Sequence, residues 1–153
     1  MERRSPPRWM LAGSALLYAG MLLGVSFIAV PAKFLAPSIN MPQALDVGRQ
    51  TFFVFGWIEI GCASVLLVLA VLTNGVRQSW LLAIALMIVA IQALLLRPSL
   101  DQRVELLLNG SDPKPSHLHN IYGVLEIAKL LLLIGIAWTN RPAGSTRAET
   151  GSS

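Results

Sequence analysis

Charge is what this chain has least of. Asp, Glu, Lys and Arg make up 13% of its 153 residues, against about 25% in an ordinary soluble domain. Cysteine is almost absent. The single one, Cys62, permits no intrachain disulfide and no thiolate metal site. Histidine occurs only at positions 117 and 119, so no metal set is implied and no pair of axial haem ligands. No Ser/His/Asp triad and no phosphate-binding glycine loop is present, and the residues point to no cofactor and no enzyme. The net charge of +4 is spread over tails and connections, without a dense patch or interleaved aromatics. Nucleic acid is therefore not an implied partner, and lipid headgroups are. No repeat is visible, and an inverted-repeat transporter does not fit so short a chain unless two copies assemble.

What the chain does have is apolar length. It is 54% hydrophobic, and those residues gather into four runs, at about 9–30, 51–73, 79–96 and 118–138. Each approaches the ~20 residues needed to cross a bilayer. Lipid leaves no partner for an unpaired backbone group, so each run is expected to be a helix. The expected fold is an all-α integral membrane protein, a four-helix transmembrane bundle over 9–139. A basic tail (1–8) precedes it and a disordered polar tail (140–153) follows it. Trp9, Trp80 and Trp138 stand at run ends, as interfacial anchors do. The first run follows a basic start, but it is longer than a secretory h-region and lacks a small-residue cleavage site, so a retained anchor is expected.

Four spans place both termini on one side. The cluster Arg3, Arg4 and Arg8 favours the cytoplasm for them, in the inner membrane of a bacterium. The NGVR stretch at 74–77 reads as a tight turn on the same side. The longer connections lie at the opposite end. Pro42 can occupy a first helical turn, which would start the second helix well before the bilayer. Pro98 can start or kink a helix carrying Leu100, Val104, Leu107 and Leu108 on one face, with Gly110 as its stop. That piece reads as an amphipathic turn that packs or skims lipid.

Three charges fall inside the runs. Glu59 and Glu126 each lie eight residues into their helices, roughly 12 Å deep, with Lys129 roughly 4.5 Å deeper. A charge at the centre of a membrane helix costs at least ~2.5–3.5 kcal/mol, so all three should face the bundle interior. His119, Tyr122, Glu126 and Lys129 form one stripe on the fourth helix. Arg49, Phe52, Gly56, Glu59 and Ala63 share a face of the second. Gln92 and Ser26 fall at a similar level, while Val65 to Leu72 and Leu130 to Ala137 are apolar apart from glycine. Two readings stand. In one, Glu59, Glu126 and Lys129 bind a proton, a cation or a small polar ligand. Lys33, Arg49 and Arg97 then form the mouth of an outward-facing pocket, lined also by Gln92, His119 and Tyr122. In the other, the same charges lock helix packing in a structural or accessory subunit with a membrane partner. A redox subunit acting on a lipid or quinone is the third reading, and it lacks a nucleophile or metal set.

Gly13, Gly20 and Gly24 make a small-residue face, either for contact within the bundle or for a second copy of the chain. His117 and His119 straddle the start of the fourth helix. Ser116 is the expected cap, with the histidines at the interface.

The words SFIAVPAKFLAPS, VGRQTFFVFGWIE, IQALLLRPSL and HLHNIYGVLE, in this order and spacing, resemble a widespread family of small four-span membrane proteins catalogued as a domain of unknown function. The resemblance covers most of the chain from Gly20 onward. It implies the four-helix membrane fold and no activity. The chain departs from it at Glu126 and Lys129, where neutral polar residues are expected.

Overall fold

A computed structural model describes residues 7–73, 76–111 and 116–141. The first half of the 74–77 turn, most of the basic start and the tail beyond residue 141 lie outside them. Among the described residues there are no strands. Four helices are long and apolar enough to cross a membrane: α1 (Arg8–Leu35), α2 (Met41–Leu72), α3 (Ser79–Leu108) and α4 (Leu118–Thr139). The chain is thus an all-α, multi-pass membrane protein. Leu11, Ala70, Leu82 and Ile136, one from each helix, share one buried cluster, so the helices run alternately up and down. The widest contacts are α1 with α4 and α2 with α3, and α1–α2 and α3–α4 close the ring.

The polarity is inverted relative to a soluble bundle. Leu17, Val54, Leu94 and Leu131 face outward, where lipid tails accept them at no cost. Ala15, Ala63 and Ala70 are fully buried and let the backbones approach closely. Trp9, Trp80 and Trp138 point outward, and Arg141 stacks over the Trp138 ring at 3.9 Å.

Helices α1, α2 and α3 run past the apolar runs. The 32 residues of α2 span roughly 48 Å, against a hydrocarbon core of about 30 Å. Its early start has a local cause. Asn40 caps it by accepting from the Gln43 N–H at 2.9 Å, and the Gln43 side chain accepts from the Asn40 N–H at 3.1 Å, a reciprocal capping box. Pro42 then fits the first turn. At the far end of α3, Gly110 takes φ +77°. Its N–H donates to the Leu107 carbonyl and that of Ser111 to the Leu106 carbonyl. This pair closes the helix as a Schellman motif.

Two π-helical stretches, Leu23–Ala29 in α1 and Gln92–Leu96 in α3, come just before Pro31 and Pro98. A proline removes one backbone donor and crowds the carbonyl four residues earlier, here Phe27 and Leu94. Widening to π geometry absorbs that crowding while the helix continues. Both stretches deliver a polar side chain to the centre of the bundle.

Candidate functional site

Lys129 is the hub of that centre. Its ammonium bonds Glu59 Oε1 across the bundle and Glu126 Oε1 at 2.7 Å on its own helix. The three side chains are 0–2% exposed. Glu59 takes its two bonds on one oxygen: Tyr18 Oη donates to Oε1 at 3.0 Å, beside the ammonium. Glu126 is held on both oxygens. Ser26 Oγ donates to Oε2 at 2.9 Å, and Gln92 Nε2 and Lys129 donate to Oε1. Ser26 and Gln92 come from the two π-helical stretches, a placement common at functional sites. Gln92 Nε2 also lies 3.3 Å from the Tyr122 carbonyl oxygen, while Gln92 Oε1 is buried without a donor.

All four helices therefore contribute to one polar cluster. Carboxylates and an ammonium in lipid must be paired or reach water, and here every charge has a partner. The cluster holds two carboxylates against one cation. Arg97 forms no ion pair with either carboxylate among the described residues.

Toward the loop end the bundle opens. A cavity of about 210 Å³ lies between the ends of α1 and α3 and the starts of α2 and α4. Tyr122 lies next to it, one turn above Glu126, with its ring edge-on to Phe52 at 5.0 Å. Lys33, Arg49, Arg97, Arg103 and His119 line the cavity, with Asp101 as the one carboxylate among the described residues. Arg49 is paired to Asp46 at 3.2 Å. Two glycines of α2 seat two of the cations. A Cβ on Gly48 would overlap the Lys33 ammonium, and one on Gly56 would overlap the Arg97 guanidinium. Arg97 thus reaches inward, to one turn above Glu59, and its Nε is buried without a partner. Leu100, Val104 and Leu107 of the α3 extension line the same cavity, so this piece packs beside the bundle, while Leu108, expected on the same face, is exposed and outside the lining.

Lys33, Arg49, Arg97, His119 and Tyr122 meet around the cavity, and Glu59, Glu126, Lys129 and Gln92 meet beneath it. Tyr18 completes the lower cluster. Its sequence signal is a tyrosine in mid-helix, away from the interfacial belt where tyrosine is ordinarily found. The seats at Gly48 and Gly56 had no such signal, since they arise from contacts between helices. Gly13, Gly20 and Gly24 make no contact of this kind: a Cβ on each meets nothing within 4 Å. Their face is turned away from the bundle because α1 packs on α4 and α2 through Leu11, Ala15, Tyr18 and Leu22 instead. His117 and His119 form no metal cluster with other described residues, and Ser116 Oγ accepts from the Leu118 N–H at 3.2 Å.

Residues 13–105 match the family described as "Domain of unknown function (DUF4149)". The match takes in Glu59, Gln92 and Arg97 and stops before Glu126 and Lys129. No curated protein and no solved structure matches the chain. The chain belongs to the DUF4149 family.

Proposed function

We propose that this DUF4149 member is a non-enzymatic membrane protein whose Glu59–Lys129–Glu126 cluster holds one exchangeable proton, reached from the loop end past Tyr122. The observation that carries this is charge balance: one ammonium serves two buried carboxylates. With both ionised, a negative charge would remain in a medium that penalises it by several kcal/mol. One proton removes it. Glu59 is its natural holder, because Glu126 already accepts on both oxygens and Glu59 accepts on one. The tails then lie in the cytoplasm and the cavity opens to the outside of a bacterial inner membrane, in keeping with the basic start.

The second reading is a fixed clamp that sets helix register in an accessory subunit. The full hydrogen bonding of Glu126 favours it. Exchange separates the two. The protein in lipid nanodiscs is moved from water to heavy water and its carboxyl infrared bands are followed. A proton site exchanges within minutes and loses the band in Glu59→Gln. A sealed clamp keeps its band unshifted over hours.

A further inference from the structure

The cavity at the loop end has a chemistry of its own. Among the described residues four cationic side chains line it, Arg103 with a partner of its own, and one carboxylate, Asp101, opposes them. Arg49 is partly satisfied by Asp46. Arg97 is not: its Nε is buried and unpaired, and its guanidinium forms no ion pair among the described residues. The Lys33 ammonium lies against the backbone of Gly48 and over the face of Phe34, 4.9 Å from the ring centroid. A buried unpaired donor on a charged group is costly. Arg97 carries that cost; with the half-buried Lys33 ammonium brought into the same cavity from another helix and both seated by glycines, the pair points to an anion that spends time between them.

The size and the walls narrow the class. At about 210 Å³ the cavity is smaller than the ~300–1,000 Å³ that engulfs a whole drug-sized ligand. It can take a headgroup and leave the remainder outside. Its other walls are apolar, among them Val30, Phe52, Leu100 and Val104. It lies where α2 enters its apolar run and α3 leaves its own, the boundary at which headgroups meet the hydrocarbon core. Beside it Phe34 and Phe53 are exposed on the bundle surface, where acyl chains run. A zwitterionic headgroup would bring its own cation against Arg97 and Lys33; a net-negative one would not.

We propose that the cavity is a headgroup site for an anionic phospholipid, with Arg97 and Lys33 holding the phosphate and the acyl chains lying in the bilayer along α2 and α3. This stands whether or not the cluster below exchanges a proton.

The test uses the full chain in nanodiscs containing equal phosphatidylglycerol and phosphatidylcholine, released gently for native mass spectrometry. One retained phosphatidylglycerol per chain is expected, in clear excess over phosphatidylcholine. Arg97→Gln and Lys33→Gln should each weaken retention about fivefold. Lys33, near the end of α1, is the variant that keeps the test open if Arg97→Gln fails to fold. Equal retention of the two lipids overturns the proposal, as does an unchanged preference in both variants. Loss of the lipid to millimolar inorganic phosphate would make this a site for a soluble anion, and retention of a fatty acid instead would make it a carboxylate site. Either result also overturns it.

Discussion

Replacing Lys129 with methionine removes the one cation that touches both Glu59 and Glu126. The methionine fills much of the same volume, so the change is electrostatic. Two buried carboxyls then face each other without a counter-charge. Removing one partner of a buried pair costs about 3–5 kcal/mol. Glu59→Gln is a different perturbation. A glutamine keeps an oxygen where Tyr18 and Lys129 donate and leaves Lys129 in a balanced pair with Glu126 at 2.7 Å. If Glu59 already carries the proton, little is lost beyond part of one interhelical hydrogen bond. Such bonds average ~0.6 kcal/mol in membrane helices. The two variants should therefore differ by about 2 kcal/mol or more, with Lys129→Met the worse. Equilibrium unfolding in bicelles, with helicity as the signal, measures both. A Glu59→Gln cost equal to that of Lys129→Met refutes the reasoning, since it means that both carboxylates are ionised and both pairs are needed.

Other consequences follow from the same geometry. Glu126→Gln should cost about 1–3 kcal/mol, more than Glu59→Gln, because three donors converge on Glu126; the same unfolding assay reads it. Ala63→Leu places a large side chain where α2 is fully buried and should cost about 1–3 kcal/mol by overpacking, seen as a lower thermal midpoint in detergent. Gly20→Ala should leave the monomer as stable or slightly more so, since a Cβ there meets nothing within 4 Å and alanine is the better helix former. Should a second copy of the chain pack on that face, Gly20→Leu would reduce chemical cross-linking between copies in native membranes without changing the thermal midpoint.

The spans and the central charges were legible because lipid makes both conspicuous. Apolar runs of this length are rare outside membrane-spanning segments, and Glu59, Glu126 and Lys129 stand out against them. Helix ends were less legible. Hydropathy marks where lipid stops, and a helix continues past that point when a cap such as Asn40 supports it or when a proline such as Pro98 is absorbed by a π turn. The seats for Lys33 and Arg97 could not be read, because a glycine's value as a gap depends on which helix lies opposite. The Gly13, Gly20 and Gly24 pattern carried a signal for close approach but no information on which neighbour approaches. Tyr18 could have been found by asking which polar side chains lie in mid-helix rather than at the interface.

The most direct measurement of the central claim is the ionisation state of the two buried carboxyls. Solid-state NMR of the protein in bilayers, with isotope-labelled glutamate carboxyl carbons, resolves protonated from ionised groups at neutral pH. The account predicts one protonated and one ionised buried carboxyl in the unaltered protein, with the protonated signal lost in Glu59→Gln and in Glu126→Gln alike, since each leaves a single carboxylate paired with the Lys129 ammonium. Two ionised signals in the unaltered protein, or a protonated signal that survives in either variant, would contradict it.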